Sequence, residues 1–182
     1  MLINRIIGAF TFRKGVYADV EHDPSFTTTA WMIVVIATLL NRLNALLYSS
    51  ERLFAAIVSA ILSILGFAIG VLVINWIGST LFKANVTFGQ GIRALGLAYV
   101  WKAIGILSLL ASFSTPLSGV LDLLIGLATI ISWLIAAKEA LDLDWLKTGI
   151  TVVLGWLVQF VITTVGGGLT LGLFELVVGA LS

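Results

Sequence analysis

Residues Leu53–Phe82 read LFAAIVSAILSILGFAIGVLVINWIGSTLF, thirty positions without a charged side chain. A bilayer core takes roughly 20 apolar residues at helical rise, so this stretch can cross one with room to tilt. Ala103–Leu121 and Thr148–Phe174 are also free of charge. A soluble chain of 182 residues has no interior able to enclose several such segments. The charged content of 10% and the mean hydropathy of +1.15 agree. The fold class that follows is all-α, a polytopic transmembrane helical bundle.

Working outward from that stretch, the pattern predicts five spans, at about 30–48, 54–80, 92–113, 117–137 and 148–166. The first carries Trp31 and Tyr48 at opposite ends as interfacial anchors. Asn41, Arg42 and Asn44 interrupt its second half. An arginine at bilayer centre costs roughly 2.5–3.5 kcal/mol on insertion scales, so Arg42 either snorkels to the near interface or faces other helices. Ser114-Thr115-Pro116 supplies the turn between the third and fourth spans. Gly166-Gly167-Gly168 is expected to break or bend a helix, leaving 169–182 as a half-membrane segment, an interfacial helix or a continuation kinked at the glycines. Glu175 pairs or protonates if this tail enters the membrane and faces water if it lies at the surface.

Residues 1–28 form a separate amino-terminal segment. Leu2, Ile3, Ile6, Ile7 and Phe10 recur at helical spacing and give one apolar face. Such an amphipathic helix either lies among lipid headgroups, with Arg5, Arg13 and Lys14 reaching anionic lipid, or packs against the spans. Asp23-Pro24 is a helix-start signal. Orientation follows from the basic residues. One side receives Arg5, Arg13, Lys14, Lys83, Arg93, Lys138 and Lys147, the other only Arg42 and Arg52, while Lys102 falls within the third span near its cytoplasmic end. This predicts a cytoplasmic amino terminus and an outward carboxyl terminus.

Several function classes drop out. A net charge of +1 without any basic block gives nucleic acid no footing. The chain has no cysteine, which removes disulfides and thiolate metal sites, and a lone histidine, His22, cannot build a metal site. The serines in the spans have no histidine near them, and Asp122 has no matching aspartate in another span, so catalysis is not expected. Five spans do not divide into two equal repeats, and intramembrane charges are few, which weakens a transporter reading.

The candidate sites are small, polar or basic positions within the spans. Gly66 and Gly70 fit the small-xxx-small contact pattern, as do Gly168 and Gly172. Gly89, Ala94, Gly96 and Ala98 let a partner helix approach closely, within the chain or from another protein. Arg93 is predicted at the cytoplasmic interface, holding a lipid phosphate or a carboxylate or serving as a simple positive-inside anchor. Asn75 lies deep and needs partners, from another helix or from a substrate. Six tryptophans suit interfacial anchoring or packing against a partner or a hydrophobic cofactor. No cofactor is predicted. Bound membrane lipid is expected, and quinone or pigment contact stays open, although His22 lies outside the spans.

Thr87-Phe88-Gly89-Gln90-Gly91-Ile92-Arg93-Ala94-Leu95-Gly96-Leu97-Ala98-Tyr99 resembles the signature of bacterial Yip1-domain membrane proteins. Arg5-Ile6-Ile7-Gly8-Ala9, Val20-Glu21-His22-Asp23-Pro24, the region Trp133 to Leu141 and Lys147–Trp156 are similar to that family too. The resemblance spans nearly the whole chain and implies five spans in a bacterial cytoplasmic membrane. Two departures matter: Val100-Trp101 stand where the family often has Ala-Pro, and the Asp-Leu-Tyr-Gly-Pro motif of the eukaryotic members is missing. The GTPase binding associated with those members is therefore not carried over. The expected role is non-catalytic, as scaffold, membrane organiser or accessory subunit of a membrane complex. A small transporter or permease-like component acting as an oligomer is the second reading.

Overall fold

The computed structural model of the chain describes residues 2–46, 50–107 and 115–181, with side chains at 2–41, 55–107, 119–169 and 172. Regular structure among the described residues is helical throughout. Two short helices, α1 (Leu2–Phe10) and α2 (Val16–Glu21), precede α3 (Phe26–Leu46) and α4 (Ser50–Phe82). Next come α5 (Phe88–Ala98), α6 (Val100–Ala103) with a 3₁₀ turn at Ile104–Ile106, α7 (Thr115–Leu141) and α8 (Trp145–Leu181).

Three described stretches are long and apolar enough to cross a bilayer: Ala55–Phe82, Gly119–Leu141 and Trp145–Leu169. The expected five spans are not all of this kind. The apolar part of α3, Phe26–Asn41, is shorter than the others. The expected third span is interrupted after Ala98, and its end, 108–113, lies outside the described residues. Tyr99 N–H donates to the Gly96 carbonyl at 3.2 Å and Lys102 N–H to the Tyr99 carbonyl at 2.9 Å. These bonds reach back three residues instead of four and tighten the chain into short turns.

The interruption follows from where α5 sits. Eight consecutive residues, Gly91 to Ala98, are buried, because α2, α3, α4 and α7 all pack on this helix. A helix enclosed on every side needs small residues where neighbours come close. A Cβ on Gly96 would lie 3.2 Å from the Ala30 carbonyl oxygen. Ala94 and Ala98 are wholly buried in the same helix.

The most extensive pairing joins α4 to α8. A Cβ on Gly155 would stand 3.2 Å from the Gly70 carbonyl oxygen, and one on Gly70 would stand 3.5 Å from that of Gly155. Gly66 packs on Gln159 and Thr163 of α8. Gly66 and Gly70 thus bring two helices of this chain together. The triple glycine does not end α8, which runs unbroken to Leu181. Of the expected alternatives the helical continuation is the one observed: each glycine lowers helix propensity by only about 1 kcal/mol, and Gly166 is seated against Leu62 of α4. Gly168 and Gly172 meet nothing within 4 Å.

An aromatic cluster ties the bundle together. Phe67 of α4 lies edge-on to Tyr99, Trp31 and Trp133, with centroids 4.9, 5.7 and 5.9 Å away, and Trp133 continues to Trp156 at 6.1 Å. Such pairs add about 0.5–1.5 kcal/mol each beyond burial. Trp31, expected as an interfacial anchor, is half-buried and packs against this cluster. Trp76 and Trp145 are exposed.

Candidate functional site

The residues of the family-like segment converge at one end of the bundle, where the amino-terminal segment is clamped onto α5 and α7. Thr87 starts α5 with a capping box. Its hydroxyl accepts the Gln90 N–H, and Gln90 Oε1 accepts the Thr87 N–H at 2.7 Å. Two donors that a helix start leaves unpaired are satisfied reciprocally. A Thr-x-x-Gln pattern ahead of an apolar run is the sequence signature of this motif, and it is the signal by which Gln90 could have been found.

Gln90 also reaches across to α2, donating from Nε2 to Glu21 Oε1 at 2.9 Å. One turn further, Arg93 is 9% exposed. Its Nε donates to the Glu21 main-chain carbonyl at 2.8 Å, its Nη2 donates to the same oxygen, and its Nη1 donates to Thr27 Oγ1 at 3.2 Å. The expectation of an interfacial Arg93 holding a lipid phosphate or carboxylate is corrected here. α2 lies over α5 and encloses the guanidinium, so its donors serve a backbone carbonyl and a hydroxyl inside the protein. Burial pushes the Glu21 carboxyl up, opposed by His22, Arg93 and Gln90.

Glu139 of α7 secures the segment from the other side. Its Oε1 accepts the Gly15 N–H at 2.8 Å, and its Oε2 accepts those of Tyr17 and Ala18 at 3.1 Å each. Gly15 precedes α2 at φ 80°, a left-handed conformation suited to glycine, and supplies no side-chain cap. A carboxylate 124 positions away in sequence caps this helix instead. The Tyr17 hydroxyl meets Ser132 Oγ at 2.6 Å, and burial pushes the phenol up to about 12.

Of the two expectations for the amino-terminal helix, lipid contact or packing within the protein, Arg5 follows the second, because α1 packs against α2. Nε donates to Asp19 Oδ2 at 2.9 Å and Nη1 to Asp23 Oδ2 at 2.8 Å, with the guanidinium 5.1 Å from the Phe26 ring centre. Arg13 and Lys14 are exposed. α1 turns Ala9 and the half-buried Ile6 and Phe10 inward, while Leu2, Ile3 and Ile7 are exposed. The Trp101 indole donates to the Ala9 carbonyl at 3.3 Å, and Phe12 stacks on its ring with centroids 5.3 Å apart.

Asn75 of α4 donates from Nδ2 to the Thr87 carbonyl at 3.0 Å, so the deep amide holds the start of α5. Gly91 makes room for it: a Cβ there would come within 2.7 Å of Asn75 Oδ1. Gly89 lies over Arg93 Nη1. Asn75, Gly89, Ala94, Gly96, Ala98 and Arg93 are thereby gathered around one helix, whereas Gly66 and Gly70 serve the α4–α8 contact. The side chains of Arg42 and Glu175, and all of Tyr48, lie outside the described residues. The sequence reading missed Gln90, Glu21 and Glu139, whose partners are remote in the chain.

Beside this junction a polar pocket of about 580 Å³ opens among Glu21, His22, Lys83, Gln90, Glu139 and Asp142. Lys83 and Asp142 sit at φ 57° and 49°, just past the ends of α4 and α7. No group of three metal-ligating side chains occurs among the described residues.

The family model of the Yip1 domain matches residues 7–167, most of the chain. The chain belongs to the Yip1 domain family. The match takes in α1 from Ile7, the clamped junction, and all of α4, α5 and α7. No curated protein and no solved structure matches this Yip1-domain chain.

Proposed function

We propose that this Yip1-domain protein is a non-catalytic membrane protein that acts as a scaffold or accessory subunit of a larger membrane complex. The observation that carries the reading is the fate of the family-like segment. Thr87, Gln90, Gly91, Arg93 and Gly96 are all engaged in internal contacts, so the segment works as architecture. The outer faces of α4, α7 and α8 are apolar, with Trp76 66% exposed, and suit lipid and partner helices. Gly70 and Gly96 contact the chain's own helices, so substitutions there would report on folding.

Native mass spectrometry of the protein extracted gently from its own membranes tests the reading. A partner of fixed stoichiometry, released by Trp76→Ala or a similar change on an exposed face, is expected. A chain that travels alone from every mild detergent would refute it. The proposed setting is a bacterial cytoplasmic membrane with the amino terminus inside, supported by the distribution of basic residues. Because the chain has no cysteine, Ser25→Cys and Ser182→Cys would report each end cleanly to an impermeant maleimide.

The second reading, a small transporter acting as an oligomer, draws on one feature: Lys102, Asp122 and Gln159 line a cavity between α7 and α8. Solute flux in proteoliposomes that disappears in Lys102→Met would favour it.

A further inference from the structure

That cavity measures about 690 Å³, within the ~300–1,000 Å³ range of small-molecule sites. Its walls are mainly apolar, and Leu157 and Phe160 on its rim are 54% and 64% exposed. α7 and α8, which flank it, are both long and apolar enough to span a bilayer, so the rim opens toward hydrocarbon.

Asn41, Ser63 and the Asp122 carboxylate are among its polar groups, and two of the others, Lys102 and Gln159, are organised by Tyr99. Lys102 Nζ donates to Tyr99 Oη at 3.1 Å and lies 4.4 Å from the Tyr99 ring centre. Gln159 Nε2 donates to the same oxygen at 3.2 Å. Tyr99 is wholly buried and fixes both side chains at the cavity wall. An ammonium has three N–H bonds and an amide two, so both retain donors beyond those that Tyr99 takes up. Trp133 also lines the cavity, is 1% exposed, and its indole N–H has no partner. A buried donor left unpaired costs ~1–3 kcal/mol, which an incoming acceptor could relieve. The hydroxyls of Thr129 and Thr163 donate to carbonyls of their own helices and add no donors.

We propose that this cavity binds one membrane amphiphile. Lys102 and Gln159 hold its hydrogen-bond-accepting head, and Trp156 and Phe160 pack on its hydrocarbon chain. Phosphate esters of phospholipids and carbonyls of isoprenoid quinones share that chemistry.

The test uses the full chain in dodecyl maltoside micelles free of phospholipid, with a trace of phosphatidylethanolamine or quinone carrying a photoreactive tail. Cross-links should concentrate in residues 125–133 and 153–163. Gly126 lines the cavity and has open space at its Cβ position, so Gly126→Phe should reduce the yield at least five-fold. Leu127→Phe, on the neighbouring exposed position, should leave it unchanged. Lys102→Met should reduce it by a similar factor while retaining the Trp133–Trp156 fluorescence of the folded bundle. The source follows from which unlabelled competitor, phosphatidylethanolamine or decylubiquinone, displaces the probe. Labelling spread evenly over the exposed faces of α4, α7 and α8 in the wild-type protein would overturn the proposal, whatever the variants do. So would labelling that neither competitor reduces.

Discussion

Removing the Glu139 carboxylate should release the amino-terminal segment while the helical bundle stays intact. Three N–H groups, of Gly15, Tyr17 and Ala18, donate to this one side chain. Loss of a helix cap costs typically ~1 kcal/mol and loss of an anion at a helix start ~0.3–1 kcal/mol. The bond to Gly15 is solvent-exposed and adds little, so Glu139→Ala should cost about 2 kcal/mol, or about thirty-fold in the opening equilibrium. Glu139→Gln keeps one accepting oxygen and should fall between. The assay is amide hydrogen exchange of the protein in detergent or nanodiscs, read separately over 15–21 and over α4. Protection over 15–21 should drop about thirty-fold with α4 unchanged, and Trp101, stacked on Phe12, should report the same release by fluorescence. Asp142→Asn is the control, since Asp142 lines the same pocket and asparagine tolerates its left-handed backbone. A change under about three-fold, or below ~0.7 kcal/mol, in Glu139→Ala would refute the long-range cap.

Three further outcomes are expected. Gly91→Ala should lower bundle stability by about 2–4 kcal/mol, because the added Cβ overpacks Asn75 and displaces it from the Thr87 carbonyl; an unchanged thermal midpoint would contradict this. Lys83→Gly should stabilise the chain by about 1 kcal/mol by relieving a left-handed non-glycine backbone, visible as a higher melting temperature. Docking of the amino-terminal segment should be tightest at mildly acidic pH. Hydrogen bonds from Ser25 and Arg5 hold the Asp23 carboxyl below the usual range, so its contribution is lost as pH falls through that lowered value. Burial raises Glu21, so its contribution is lost as pH rises through that raised value. Trp101 fluorescence followed across pH should give a bell, and a monotonic curve would argue against one of the two groups.

Much of this was legible in the chain itself. Apolar runs longer than a bilayer core fixed the helical membrane class, because a backbone in hydrocarbon must satisfy its own hydrogen bonds. The Thr87–Tyr99 segment carried the family, and its small residues marked a close helix contact. Local signals reached their limit where a property depends on enclosure or on a distant partner. Arg93 looks like an interfacial cation until α2 is seen to cover it, and Arg5 is open to lipid or to protein until Asp19 and Asp23 fold back onto it. Gly166-Gly167-Gly168 reads as a break or a bend, yet the helix persists, with Gly166 seated on Leu62. The sequence determined what kind of solvent this chain occupies, since hydropathy sums over neighbours along the chain. Only the tertiary structure decided that Glu139 caps α2, that α5 is the axis of the bundle, and that Lys102, Gln159 and Trp133 meet at one cavity. Those groups lie far apart in sequence, and no local periodicity encodes which of them will share a wall.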